Sequence, residues 1–252
     1  MDKKIAHLYS GGTDSTYAAV IASQLFDTVH LLTFYRKGLS GVRNSEYYVS
    51  KLRAVLGTSK FQHYFFNIDK EFRAVCYNEH FQRLLKYGFY SLLNCALCKL
   101  AMHWRTIKYC VDNGIRYVSD GSCIEMTYLD PSQNIKVIEK MRLLYFKFGI
   151  KYFTPSFKVS VENRENELFR LGISGISRIK GTPAAALLEP VCSQEYLHIL
   201  ALKYFWQSSK MYLNFDTPPP EYEKYERKML VFHGEVRDFI CRSLEKYLIS
   251  KK

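Results

Sequence analysis

Apolar residues come along this chain in short runs that alternate with stretches of helical period. Ile5 to Tyr9 is one such run and reads as a buried strand. An alanine-rich segment follows from Asp14 to Gln24, with Tyr17, Ala18, Ile21 and Ala22 placed for packing. "TVHLLTFYR" (Thr28 to Arg36) is rich in β-formers and reads as a second strand. Between Asn44 and Leu56, Tyr48, Leu52 and Val55 mark a helix that Gly57 stops. "FQHYFFNID" predicts a third strand, helical segments run from Lys70 to Tyr87, and a long helix from Asn94 to Asn113 ends at Gly114. "IRYVSDGS" and "KYFTP" are the fourth and fifth strands, with a helix over Ile135 to Phe148 between them. Strands separated by helices of this length imply βαβ units. The fold expected is α/β: a doubly wound, parallel, five-stranded sheet of the Rossmann-like (HUP) kind with helices on both faces.

"DTPPPE" (216–221) breaks this alternation ahead of a C-terminal helix, Glu221 to Leu248, with Tyr225, Met229, Phe232, Val236, Phe239 and Leu244 along one side. A main domain over residues 1–216 is expected, then a segment over 217–252 whose helix packs on that domain or on a partner, a second copy in a homodimer included.

Composition narrows the function. No apolar run approaches the roughly 18 residues that span a bilayer, and "MDKKIAHLYS" has no hydrophobic core of a secretory signal. The seven dispersed cysteines therefore read as reduced thiols of a cytoplasmic protein without membrane contact. A net charge of +12 and a pI of about 9.3 point to a polyanionic partner, most simply nucleic acid.

The first strand ends in "SGGTDS", and a helix opens there. Glycine-rich turns at a helix N-terminus present successive backbone N–H groups to an anion. Gly11 and Gly12 let the backbone come close, and Ser10, Thr13 and Ser15 add hydroxyl donors. The turn is neither a Walker loop nor a Gly-x-Gly-x-x-Gly fingerprint. It resembles the Ser-Gly-Gly-x-Asp-Ser motif of the PP-loop ATP pyrophosphatases, and the resemblance extends over the strand–helix order of residues 1 to 200. It implies cleavage of ATP between its α- and β-phosphates with Mg²⁺, the pyrophosphate held by Ser10, Gly11, Gly12, Thr13, Asp14 and Ser15, and Asp14 in a catalytic role. The family activates a carbonyl oxygen as an adenylate, and its branches differ in the nucleophile that follows.

"LLNCALCKLAMHW" bears on that nucleophile. At about 100° per residue, Leu97, Leu100, Ala101, Trp104, Ile107 and Val111 form a core stripe, and both Cys95 and Cys98 fall off it. Thiols near a helix N-terminus beside Lys99 and Arg105 are expected to be lowered in pKa. A Cys-x-x-Cys by itself also serves redox and zinc sites, but the chain has no second such pair to close a zinc site.

With the phosphate loop upstream, the pattern resembles the sulfurtransferase branch of the PP-loop family, the branch that thiolates tRNA, in which a further cysteine follows about ninety residues later. Cys192, in "ALLEPVCSQEY", stands 94 residues beyond Cys98, after the fifth strand. The resemblance implies that Cys95, Cys98 and Cys192 are catalytic and hold an iron–sulfur cluster of the 4Fe-4S type, or that two of them act as persulfide donor and partner. A sulfur donor protein or sulfide would load them. Cys76, Cys110, Cys123 and Cys241 fit no such pattern and read as structural.

Two departures accompany the resemblance. Where the family often carries Gly-His-Asn-x-x-Asp, this chain has "SDGSCIE", so Asp120, Gly121 and Ser122 are nucleotide-binding candidates by position. The loop also begins ten residues into the chain, so RNA contacts are expected from "RKGLSGVR", "SRIKGTP" and the C-terminal Lys251 and Lys252. The function expected is ATP-dependent exchange of sulfur for a carbonyl oxygen of a tRNA base. The alternatives are a PP-loop enzyme acting on a small metabolite, by sulfur insertion or amide formation, and a basic RNA-binding protein that keeps a nucleotide fold.

Overall fold

The computed structural model describes residues 3–78, 80–87, 95–127, 130–174, 190–193 and 222–251. The strands are β1 (Lys4–Leu8), β2 (Thr28–Tyr35), β3 (Leu39–Ser40), β4 (Phe61–Asn67), β5 (Tyr117–Asp120), β6 (Lys151–Phe153) and β7 (Val191–Cys192). Five of them form one sheet in the order β4-β2-β1-β5-β6, and every pair in it is parallel. The chain winds outward from β1 to β4, then crosses back to β5 and β6. The winding reverses between β1 and β5, and the crevice beyond their carboxyl ends is where such sheets take ligands. Leu8 is level with Leu32 on one side and Asp120 on the other, so the segments that leave these strands emerge together.

Helices cover both faces. They are α1 (Thr13–Leu25), α2 (Ser45–Leu56), α3 (Asp69–Cys76), α4 (His80–Tyr87), α5 (Cys95–Asn113), α6 (Ile135–Phe146), α7 (Val161–Arg170) and α8 (Tyr222–Ile249). Alternation along the strands sorts the core into two layers. Ile5, Val29, Leu31 and Phe61 pack with α1, α2 and α7 through Ala19, Val20, Leu52 and Leu168. Ala6, Leu8, Leu32, Phe34 and Val118 pack with α3, α5, α6 and α8 through Phe72, Leu97, Leu100, Met141 and Val236.

The α8 helix lies on α5 and α6, burying Met229, Phe232, Val236, Ile240, Cys241 and Leu244 at helical spacing. At about 1.5–3 kcal/mol for each large apolar side chain, that face secures the helix to the domain. The break at 216–221 lies outside the described residues, as do "SRIKGTP" and Lys252. No helix among the described residues is long and apolar enough to cross a membrane.

The helical segments expected from Lys70 to Tyr87 are α3 and α4. Two elements depart from the pattern reading. The α7 helix was not anticipated. The antiparallel ribbon of β3 with β7, pairing Leu39 with Cys192 and Ser40 with Val191, was not anticipated either, and it places Cys192 in a strand rather than a loop.

Four histidines stay neutral in this fold. Burial pushes His7, His63 and His233 from 6.5 down to about 4, and His103 to about 3. As pH falls through 6.5 the unfolded chain protonates these rings while the folded protein does not, so the unfolded state binds more protons and stability drops. Above 6.5 both states are neutral and the effect vanishes. The melting temperature followed by calorimetry is expected to fall steadily from pH 6.5 to 4. A flat profile across that window would show the rings to be solvated.

Candidate active site

Ser10 to Ser15 connect β1 to α1 at the reversal of the winding. Gly11 has φ +86, and a Cβ there would sit 2.7 Å from the Cα of Ser45, so both conformation and space demand glycine. The loop is braced from within. The Ser10 and Ser15 hydroxyls lie 3.0 Å apart, Gly12 N–H donates to Ser10 Oγ at 3.2 Å, and Ser15 Oγ donates to the Gly12 carbonyl at 3.0 Å. No side chain caps α1, whose N-cap is Gly12, so its first-turn amides are directed at whatever occupies the crevice.

Gly121 seats the loop from the other side. A Cβ at this position would lie 2.5 Å from Ser15 N and 2.7 Å from the Asp14 carbonyl carbon, so the turn after β5 presses backbone on backbone against the start of α1. His7 ties the same elements, with Nδ1 2.8 Å from Ser119 Oγ and Nε2 2.9 Å from the Ser15 carbonyl oxygen.

Asp120 and Ser122 are buried beside this contact and spend their polar groups on each other. Asp120 accepts from Ser122 N–H at 3.0 Å and from Tyr152 Oη at 2.8 Å, and Lys99 Nζ sits 2.9 Å from its Oδ2. Burial works most strongly, against the charge of Asp120, but Lys99 and the other polar groups around it together outweigh burial and hold the carboxyl well below the usual carboxylate range. Lys99 also donates to Ser122 Oγ at 2.7 Å. This lysine therefore serves the crevice between β1 and β5 rather than the thiol beside it in sequence.

Asp14 has a partner that sequence reading missed. Arg164, on α7, is fully buried, and its Nε lies 2.8 Å from Asp14 Oδ1, an ion pair without the alignment of a hydrogen bond. Its Nη2 is 3.4 Å from Glu125 Oε2, and Nη1 donates to the Val159 carbonyl. Burial raises the Asp14 carboxyl above its ordinary value, with Arg164 pulling the other way. The Cys123 thiol, pushed up to about 12 by burial, donates to Asp14 Oδ2 at 3.6 Å. Nothing in "VENRENELFR" marks Arg164 as interior, because α7 buries only Leu168 beside it. The Asp14 side chain is still 40% exposed, and among the described residues its Oδ2 has only that long thiol contact.

Cys98 corrects the expectation made for it. It is 7% exposed and part of the core, because α5 is covered by the sheet on one side and by α3 and α8 on others. Ala96, Leu97, Leu100, Ala101, His103, Trp104, Thr106, Ile107 and Cys110 are buried with it, so the helix has no single apolar stripe. Its thiol is raised rather than lowered in pKa: burial dominates, and the opposing cation is Arg36. Neither Lys99, committed to Asp120, nor Arg105, whose guanidinium lies 5.1 Å from the Phe66 ring centroid, fills that role.

Arg36 follows β2 directly and is itself buried, although "RKGLSGVR" was expected to face RNA; Lys37 and Arg43 of that stretch are exposed. Arg36 donates from Nε to Cys98 Sγ at 3.2 Å, from Nη2 to Cys192 Sγ at 3.3 Å and from Nη1 to the Lys37 carbonyl at 2.8 Å. Its Cζ stands 3.9 Å from the centroid of the Phe72 ring. Cys98 and Cys192 are thus brought to one guanidinium, while the side chain of Cys95, one helical turn earlier, lies outside the described residues. Among the described residues no three His, Cys, Asp or Glu side chains gather to hold a metal. Two sulfurs facing cationic N–H donors suit an anionic, sulfur-bound group, whether a thiolate-held cluster or a persulfide.

No protein-family model matches the chain, and no curated protein matches it. Three solved structures are similar in fold. One is described as a predicted subunit of a tRNA methyltransferase from Methanocaldococcus jannaschii, at 20% identity and TM-score 0.41 over 65% of this chain and 74% of that one. The second is the U34-tRNA thiolase NcsA from Methanococcus maripaludis with its [4Fe-4S] cluster, at 11% identity and TM-score 0.46 over 94% of this chain and 73% of that one. The third is the NMN synthetase of Francisella tularensis, at 13% identity and TM-score 0.48 over 93% and 85%. At such identities the likeness is one of chain path alone.

Proposed function

We propose that this chain is an ATP-dependent sulfurtransferase of the PP-loop kind that replaces a carbonyl oxygen of a tRNA base by sulfur. One observation carries the reading: the loop Ser10–Ser15 and the Cys98–Cys192 pair open on the same carboxyl edge of the sheet, at the ends of adjacent strands β1 and β2. A phosphate cradle and a pair of sulfur nucleophiles side by side fit one reaction in two steps.

In the first step the loop amides and the Ser10 hydroxyl hold the departing phosphates, and Asp14 would hold the Mg²⁺ whose charge would screen them. The base oxygen attacks the α-phosphorus, and the bond to pyrophosphate breaks. In the second step the sulfur held at Cys98 and Cys192 attacks the activated carbon, and AMP leaves with the oxygen. Where that sulfur is the outer atom of a persulfide on one cysteine, the other cysteine then attacks the inner sulfur, the S–S bond breaks, and a Cys98–Cys192 disulfide remains for a thiol to reduce. The preorganised N–H donors contribute most where negative charge grows. Cys95, Cys98 and Cys192 are the residues that would hold an iron–sulfur cluster, whose chemistry would be to present sulfide. Arg36 supplies hydrogen bonds to two of those sulfurs in either case.

The test is a purified, air-free preparation given ATP, Mg²⁺, sulfide and bulk tRNA. AMP, pyrophosphate and a thionucleoside, the last found by mass spectrometry of the digested RNA, are expected in equal amounts. AMP formed without RNA, in proportion to an added small carboxylate and ammonia, would move the chain to the amide-forming chemistry of the fold.

A further inference from the structure

The guanidinium of Arg36 offers two edges, and the one in use here is the side edge of Nε and Nη2. The N–H groups of that edge point in nearly the same direction, which is why it ordinarily grips two oxygens of one carboxylate or phosphate. In this chain it grips two sulfurs, Cys98 Sγ at 3.2 Å and Cys192 Sγ at 3.3 Å. Parallel donors on adjacent nitrogens place their acceptors next to each other. The two cysteines come from α5 and from β7, so nothing in local sequence brings them together.

The guanidinium is fixed on its remaining sides. Nη1 donates to the Lys37 carbonyl, the Phe72 ring lies against Cζ, and the residue is 5% exposed. Cys98 is buried, whereas Cys192 is half-buried at the ribbon of β3 and β7, so the fork joins an interior sulfur to one that substrate and sulfur donor reach.

We propose that Arg36 is the positioning residue of the sulfur site, aligning Cys98 and Cys192 side by side on its Nε–Nη2 edge. The proposal rests on the sulfurtransferase reading, and it makes Arg36 part of the sulfur half-reaction rather than of ATP binding. Lysine keeps the charge but has no fork, so Arg36→Lys is expected to restore little, and Arg36→Gln less.

The test has a diamide arm in the Cys95→Ser chain and a sulfur-transfer arm in the Cys95-containing chain. In Cys95→Ser protein, which removes the neighbouring thiol, diamide withdraws two electrons from a pair of cysteines, the two thiol protons passing to the reagent as it becomes a hydrazine. Peptide mass spectrometry is expected to show Cys98 joined to Cys192 ahead of every other pair. Adding Arg36→Gln should slow that closure about tenfold, and adding Arg36→Lys should slow it nearly as much. In the Cys95-containing chain, the thionucleoside formed per AMP is expected to fall about 100-fold with Arg36→Gln, a ratio that a general loss of folded protein leaves unchanged. Diamide joining other pairs in preference to Cys98–Cys192 overturns the proposal without any change at Arg36. So does an Arg36→Gln protein that closes the pair and delivers sulfur per AMP at the wild-type level. The diamide arm needs neither ATP nor RNA, so it stands even where no AMP is formed and the sulfurtransferase reading has failed.

Discussion

Affinity for tRNA is expected to fall about 10³- to 10⁵-fold when salt is raised from 50 to 200 mM, which corresponds to six to ten phosphate contacts. The net charge of +12 supplies the cations for such a footprint. Near the carboxyl edge of the sheet Lys37 and Arg43 are exposed, and Arg43 has 84% of its side chain in solvent with one ion pair, to Glu46. Exposed cations of this kind bind phosphate by releasing condensed counterions, and the plot of log affinity against log salt reads their number as a slope. Arg36 adds nothing to that slope, being buried on the two cysteines. Filter binding or fluorescence anisotropy across the salt range measures it. An affinity that is weak at low salt and flat with salt would leave the small-metabolite chemistry as the better reading.

Ser10→Ala combined with Asp14→Ala is expected to abolish AMP and pyrophosphate formation. Ser10 loses the hydroxyl that accepts from Gly12 N–H and meets Ser15 Oγ, and with it the brace of the phosphate loop. Loss of a single preorganised donor commonly costs about 10² to 10³ in rate, and the second change removes the carboxylate that meets the cation. From sequence, both residues look separable from stability because the loop faces solvent. Ser10 is exposed, but Asp14 neutralises the buried Arg164, so Asp14→Ala leaves that cation with Glu125 as its one anionic partner among the described residues. Removing one partner of a buried pair costs about 3–5 kcal/mol, and the lower end applies here because Asp14 is partly hydrated. Ser10→Ala alone, with an unchanged melting temperature and AMP release down about 100-fold, isolates the chemical effect. Wild-type AMP release by the double variant in the presence of substrate would end the assignment of the loop.

Much of this architecture is written in local signals. Five apolar runs bounded by glycine, asparagine or helical period name the five parallel strands, and "SGGTDS" marks its own turn because glycine at Gly11 and small hydroxyls at Ser10 and Ser15 are demanded by geometry within a few residues. What stayed hidden depends on tertiary burial of charge. Arg164 belongs to a helix with almost no apolar face, and Arg36 sits in a stretch that reads as a solvated basic loop, yet both are interior because distant partners meet them. Cys98 was misjudged for a related reason. Angular position on a helix sorts inside from outside only when one side is covered, and α5 is covered on several.

The ribbon of β3 and β7 also divides the site in time. His7 and Ser15 are 8 residues apart, and the farther braces of the phosphate cradle, Ser119 and Gly121, belong to β5 of the central sheet and the turn after it. Arg36 and Cys192 are 156 residues apart, and their meeting waits on a ribbon of two paired residues per strand. Contacts so distant form late in folding, and so short a ladder opens locally at little cost while the central sheet stays intact. Molecules in which the ribbon has frayed therefore keep the nucleotide half of the site without the sulfur half. If the chain is the sulfurtransferase proposed above, such molecules would activate a base and leave the adenylate to water, and a tightly closed ribbon would then protect the substrate from futile turnover as well as placing a thiol.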